Sequence, residues 1–81
     1  MSEEEFYRWL GLYLKNIRRS CRLTQSDICQ KYHLSRSSLS NIETGRHHLS
    51  IYALYELLIV LDDSFENILE SMLALHRKHK F

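Results

Sequence analysis

Four polar residues near the middle of the chain have side-chain types and a spacing that could act together: Arg36, Ser37, Ser40 and Asn41. Their spacing of i, i+1, i+4 and i+5 places them on one face of a helix. Arginine can form two hydrogen bonds to guanine O6 and N7, asparagine can do the same with adenine N6 and N7, and a serine hydroxyl bonds to either base. The side-chain types on this face are therefore those that can read base edges in a DNA major groove.

Basic residues are concentrated in the same part of the chain. The whole chain has a formal net charge of +1. Between residues 15 and 48, seven Lys and Arg residues are set against only Asp27 and Glu43, which gives this segment a charge of about +5. Such a segment in a near-neutral protein is the electrostatic signature of a phosphate-binding surface, although an ordinary solvated surface has a similar composition.

Apolar residues that could position these side chains recur with helical spacing, and the chain has no proline and two glycines. A Ser or Thr precedes each apolar run, in the position of a helix N-cap. The sequence predicts an all-α fold of five helices, whose N-caps are Ser2, Thr24, Ser35, Ser50 and Ser64. The first three helices are expected to end near Cys21, Tyr32 and Gly45.

Helical spacing also predicts which side chains face inward. In the third helix these are Leu39 and Ile42, opposite the polar face. In the fourth helix the expected inner face consists of Ile51, Leu54, Tyr55 and Leu58.

The fifth helix, predicted over residues 65–78, is richer in apolar side chains than closing a small bundle requires. We expect part of this face to form a homodimer interface with a second copy of the chain. Trp9 and Leu12 of the first helix are expected to contribute to this interface or to cover the fifth helix. The predicted interface residues are Phe65, Ile68, Leu69, Met72 and Leu75.

The run Thr24-Gln25-Ser26-Asp27-Ile28-Cys29, followed by the run from Leu34 to Gly45, resembles the Cro/repressor-type helix-turn-helix family, also called XRE-like. The resemblance extends over about residues 14–69 and implies a lambda-repressor-like domain that occupies residues 1–81. It also implies that the third helix enters the major groove of double-stranded DNA. In size, the chain is similar to controller proteins of restriction–modification systems and to small phage repressors.

This resemblance assigns roles to further residues. Gln25, at the start of the second helix, and Arg46 and His47, after the third, match family positions that contact DNA phosphates. Arg22 is expected to add positive charge beside them. Phosphate contacts of this kind position the protein on DNA without specifying the sequence.

Arg18 and Glu43 match positions that form an internal ion pair in many family members. A carboxylate facing DNA would repel phosphate, so an inward pair is a more economical interpretation than two separate surface charges. The chain departs from the family at His33, which replaces a turn glycine, and at Cys29 and Leu49, which replace alanine and proline. Histidine is enriched in left-handed conformations, so we expect His33 to adopt one.

Other classes of protein fit the sequence poorly. It contains no run of roughly 20 apolar residues, and its acidic start is unlike a signal peptide, so a cytoplasmic location is expected. The five histidines and two cysteines lack metal-site spacing, and no cofactor or metal is expected. Without a nucleophile motif or a glycine-rich phosphate loop, the sequence does not indicate an enzyme.

The sequence predicts a sequence-specific transcriptional regulator that binds a pseudo-palindromic operator as a homodimer and regulates its own gene. Both repression and activation are compatible with this prediction. The alternative is an antitoxin-type protein-interaction module that also binds DNA. Five aromatic residues would serve such a partner surface, although core packing explains most of them. These are Tyr7, Trp9, Tyr13, Tyr52 and Tyr55.

Overall fold

The computed structural model describes residues 1–79, and this part of the chain folds into five helices. The predicted all-α fold is confirmed. In chain order, the helices are α1 (Glu3–Ser20), α2 (Gln25–Lys31), α3 (Arg36–Glu43), α4 (Ile51–Val60) and α5 (Phe65–Lys78). None of the helices in this part is long and apolar enough to cross a membrane.

Each helix begins at the predicted hydroxyl cap. The five cap side chains accept a hydrogen bond from the backbone N–H three residues later, which satisfies one of the free donors of the first turn. At α2 the bond is reciprocated, because Asp27 accepts the Thr24 N–H at 2.8 Å. The hydrogen bond from the Thr24 backbone, together with the interaction with the Thr24 hydroxyl, lowers the pKa of Asp27 below its ordinary value. Short helices therefore have defined starting points.

A single apolar core joins the five helices. α1 and α2 both pack against α3, so the third helix is supported from two sides. α4 contributes Leu54, Leu57 and Leu58 to the core, and α5 contributes Ile68. The buried apolar residues are Leu10, Leu14, Ile28, Leu39, Ile42, Leu54, Leu57, Leu58, Leu61 and Ile68.

Gly11 lets α1 lie directly on the end of α3. A Cβ atom at this position would lie 2.6 Å from the carbonyl oxygen of Glu43 and would also overlap the carbonyl of Ile42. Glycine in a helix interior costs about 1 kcal/mol relative to alanine, so its presence here is explained by this close backbone approach.

The predicted left-handed conformation of His33 is wrong. Within residues 1–79, the non-glycine residues with positive φ are Arg22 and Asp62, which follow α1 and α4. The chain leaves α2 through an extended residue, Tyr32, with φ −125° and ψ 112°. Because this residue already redirects the chain, the turn does not need a left-handed residue at position 33.

The predicted inner face of α4 is partly wrong. Leu54 and Leu58 are buried, but Ile51 is 72% exposed and Tyr55 is 46% exposed. The actual inner face contains Leu57 in their place. α4 is apolar around most of its circumference, with Glu56 as its only charged residue, so spacing alone does not define one face.

Candidate nucleic-acid interface

The four predicted base-reading residues all lie on α3, away from its packed side. Arg36, Ser37 and Asn41 are exposed, and Ser40 is half-buried. On the opposite side of the helix, Leu39 and Ile42 are buried in the core. The helix therefore presents a short polar surface that is backed by apolar packing.

A buried pair of charges connects α1 to the end of α3. Arg18 Nε lies 2.6 Å from Glu43 Oε2, and Arg18 Nη2 donates to Glu43 Oε1 at 3.1 Å. Arg18 Nη1 also donates to the carbonyl oxygen of Leu23, at 2.8 Å. Two parallel bonds fix the direction as well as the distance between the side chains, so α3 has a defined orientation relative to α1.

The side chain of Gln25 joins this pair. Its Nε2 donates to Glu43 Oε1 at 3.0 Å, and the residue is half-buried. Glu43 thus accepts hydrogen bonds from α1 and from the first residue of α2. This contact directs the Gln25 amide inward, and a phosphate contact by Gln25 stays a prediction.

The segment after α3 is a tight turn built on Gly45, which has φ of +82°. The backbone N–H groups of Arg46 and His47 both donate to the carbonyl oxygen of Asn41, at 2.9 and 3.2 Å. The side chains of Arg46 and His47 are exposed. Arg22 is also exposed and lies between α1 and α2. Predicted phosphate-contacting cations therefore stand before α2 and after α3.

The predicted dimer residues have different environments. Leu69 is 58% exposed, while Phe65, Met72 and Leu75 are half-buried. Ile68, however, is 0% exposed. Its assignment to a dimer interface is wrong, because a side chain that fills the core of one copy has no surface left to contact another.

The two α1 residues expected near α5 lie beside its C-terminal end. Trp9, Leu12 and Leu75 line one open cavity of about 330 Å³. Trp9 is half-buried and packs between other aromatic rings of α1, whereas Leu12 is exposed. These residues cover part of α5.

A second exposed surface was predicted only in part, because the spacing within α4 did not show that its outer residues continue the surface predicted on α5. Tyr55 packs on Phe65 with ring centroids 5.9 Å apart and planes inclined by 19°, which joins the outer sides of α4 and α5. Tyr52 lies 6.2 Å from Tyr55, centroid to centroid. We call this the α4–α5 apolar surface; it consists of Ile51, Tyr52, Tyr55, Ile59, Phe65, Leu69 and Leu73. The available signal was the abundance of apolar residues in α4, which exceeds what one buried face requires.

An arrangement of two short helices joined by a turn, the second supported from behind and polar in front, defines a helix-turn-helix protein. The family model for the helix-turn-helix domain matches residues 9–61, and the chain belongs to this family. The match is consistent with the resemblance to Cro/repressor-type proteins. It covers most of α1 and all of α2, α3 and α4, but not α5. No curated protein matches the chain.

Proposed function

We propose that this protein is a sequence-specific transcriptional regulator that reads an operator with α3. The observation that carries the proposal is the exposed polar surface of α3, backed by Leu39 and Ile42. Arg36 and Asn41 have the donor and acceptor geometry for guanine and adenine, and Ser37 and Ser40 add short polar contacts. The family membership supports DNA as the partner. The same surface supports a binding role.

The flanking cations give this surface a means of attaching to the DNA backbone. Arg46 and His47 follow the Gly45 turn at the end of α3, and Arg22 precedes α2. We assign these three residues, with Gln25, to phosphate contacts, which set the register of the domain on the duplex. Specificity then depends on α3.

A DNA titration tests the proposal. The purified protein is titrated against the duplex immediately upstream of its own coding region, where autoregulation requires an inverted repeat, and against a scrambled duplex of equal length. We expect at least a hundredfold tighter binding to the upstream duplex at moderate salt. Equal affinity for both duplexes, with no preferred site in a randomised pool, would reject a sequence-specific regulator.

The regulator is proposed to act as a homodimer. One recognition helix reads only a few base pairs, which is too little for selectivity in a genome, whereas a two-fold dimer reads two half-sites roughly 34 Å apart. The α4–α5 apolar surface supports this proposal, because large exposed apolar residues on a small domain are typical of an interface. Ile68 has no part in it.

Charges along α5 favour a two-fold partner. Glu66 and Glu70 lie in its first half, and Arg77 and Lys78 lie at its end. An antiparallel pair of α5 helices that meet at Leu69 and Leu73 would bring the acidic half of each near the basic end of the other. A two-fold interface uses the same residues on both copies, so each favourable contact occurs twice.

Sedimentation tests the dimer. We expect a dimer at tens of micromolar, and a monomer for Tyr55→Arg and for Leu69→Arg, because both substitutions place a charge in the apolar surface. Asn16→Arg, at an exposed position on α1, is the matched control and should stay dimeric. A monomeric wild type whose Leu69→Arg variant binds the operator unchanged would contradict the dimer. It would favour the antitoxin-type module, for which the same apolar surface would bind a different protein.

A further inference from the structure

An open polar cavity lies where the first half of α1 meets the turn after α3. Its volume is about 440 Å³. It is lined by Glu4, Arg8, Thr44, Gly45, Arg46 and His48. Arg8 precedes the segment that matches the helix-turn-helix family and is not among the residues proposed to contact bases or phosphates. The cavity therefore brings together Arg46, which is proposed to contact a DNA phosphate, and Arg8, which has no proposed role so far.

The two walls of this cavity are in direct contact. A Cβ atom on Gly45 would lie 2.7 Å from the Cα of Arg8, so the turn passes against the α1 backbone at that residue. A second contact lies alongside, where the rings of Tyr7 and His48 stack with centroids 4.1 Å apart and planes inclined by 10°. The backbone therefore holds Arg8 and Arg46 as neighbours across the cavity.

The cavity has an excess of positive charge. Within residues 1–79, the only ion pair joins Arg18 and Glu43, so neither Arg8 nor Arg46 has a carboxylate within salt-bridge distance. Both arginines are exposed, and Glu4 is the only acidic residue among those that line the cavity. The lining therefore has two arginines and one carboxylate, a charge balance that favours an anion, and arginine binds phosphate oxygens in a bidentate manner.

We propose that this cleft binds a phosphate of the DNA backbone and that Arg8 is a DNA-contacting residue on α1. The inference rests on the proposed function, since the phosphate belongs to the duplex that α3 reads. The shared ligand chemistry is a phosphate oxyanion. This oxyanion could belong to the DNA backbone or to a free phosphate ion. An open cleft with exposed arginines gives a free phosphate few contacts, whereas a duplex is also bound by α3 and by the turn.

Arg46 connects the cleft to the DNA-reading helix. It lies three residues after the C-terminal residue of α3, and its backbone N–H is bound to Asn41, one of the proposed base readers. A phosphate contacted by Arg46 at the edge of the groove is thus beside Arg8. The positively charged surface extends from the turn onto the first helix.

The test is the salt dependence of binding, measured for the full chain on the upstream duplex and on the scrambled duplex. For Arg8→Ala we expect the slope of log K against log salt to fall in magnitude by about one unit on both duplexes. The preference for the upstream duplex should not change. Glu4→Gln should strengthen binding to both duplexes severalfold, because it removes the opposing carboxylate.

Two control variants complete the design. Arg46→Ala should flatten the slope as Arg8→Ala does, and Arg19→Ala, which removes an exposed arginine from the same helix outside the cleft, should change it less. Thermal unfolding of each variant verifies that the fold is intact. If Arg8→Ala is unstable, Arg8→Gln and Glu4→Gln provide the same test.

An unchanged slope for Arg8→Ala, while Arg46→Ala flattens it, would overturn the inference and leave the proposed function standing. A wild type that binds neither duplex would reject the proposed function itself. Inorganic phosphate, titrated at constant ionic strength and followed by the NMR signals of His48, distinguishes the source. Saturation at low millimolar phosphate that Arg8→Ala abolishes, combined with an unchanged DNA slope, would assign the cleft to a free anion and contradict the DNA contact.

Discussion

The outer surface of α3 and the α4–α5 apolar surface are both exposed, but they are built from opposite residue types. α3 exposes Arg36, Ser37 and Asn41 and buries every large apolar residue it has. α4 exposes Ile51 and Ile59 even though it also supplies much of the core. The first surface fits a polar, hydrated partner and the second fits an apolar one. One small domain therefore has two separate exposed surfaces of opposite chemistry.

The two surfaces also differ in how they are held. The C-terminal end of α3 is fixed by hydrogen bonds from Arg18 and Gln25 to the Glu43 carboxylate. The α4–α5 apolar surface is joined by aromatic packing between Tyr55 and Phe65. Directional bonds are suited to the proposed role of α3, which requires one orientation toward base edges, whereas apolar packing tolerates small shifts.

The largest expected effect comes from breaking the Arg18–Glu43 pair. Either Arg18→Met or Glu43→Leu should lower the free energy of unfolding by about 3–5 kcal/mol, because each leaves a buried polar group without its partner. Denaturant unfolding measures the loss. The double variant should recover part of it, since an apolar pair of similar volume needs no ionic partner. Additive losses in this double-mutant cycle would mean that the two residues do not interact.

A neighbouring pair on α5 separates the core from the apolar surface. Ile68→Ala should lower the free energy of unfolding by about 2–5 kcal/mol, since the side chain is fully buried and its removal leaves a cavity. Leu69→Ala, one residue later, should change it by less than about 0.5 kcal/mol in the monomer. Its effect should appear in the dimer dissociation constant. Equal losses at the two positions, measured at concentrations where the chain is monomeric, would contradict this division of α5.

A comparison of α3 with α4 shows what the spacing of apolar residues could and could not predict. α3 begins at a Ser cap and has only two large apolar residues, Leu39 and Ile42, on one face. The spacing therefore allows only one orientation of the helix, and the structure shows that orientation. α4 offers apolar residues in every direction, so its orientation is decided by packing against the other helices. Ile51 and Tyr55 were predicted inside for this reason, so the α4 side of the apolar surface was predicted only in part, through Tyr52 and Tyr55 in the antitoxin-type alternative.

The same limit applies to α5 and to the cleft. Ile68 and Leu69 are adjacent apolar residues, and sequence alone does not tell which one enters the core. Arg8 and Arg46 are far apart in the chain, and their proximity depends on how closely α1 approaches the Gly45 turn. In contrast, the caps and the Arg18–Glu43 partnership depend on local chemistry or on a family resemblance, and both were available in the sequence.

Base reading by α3 predicts a sequence-dependent loss for Arg36→Ala. The variant should bind the operator about 1–3 kcal/mol more weakly and lose its preference at one base pair in each half-site, because a bidentate contact to guanine is removed. Titration against a randomised operator pool measures both quantities. An equal loss of affinity for every sequence would instead make Arg36 a phosphate contact.

The smallest expected effect concerns Gln25, whose amide is bound to Glu43 in the structure while the family resemblance assigns it to a phosphate. Gln25→Ala removes one neutral hydrogen bond in each setting, so both the free energy of unfolding and that of DNA binding should change by about 1 kcal/mol. The binding loss should be equal on operator and scrambled duplexes, and the salt slope should stay constant because no charge is removed. Gln30→Ala, an exposed glutamine on the same helix, is the matched control and should change neither quantity. A variant that is less stable but binds DNA with undiminished affinity would make Gln25 a support of the ion pair alone, and α3 would then be positioned on DNA by the flanking cations.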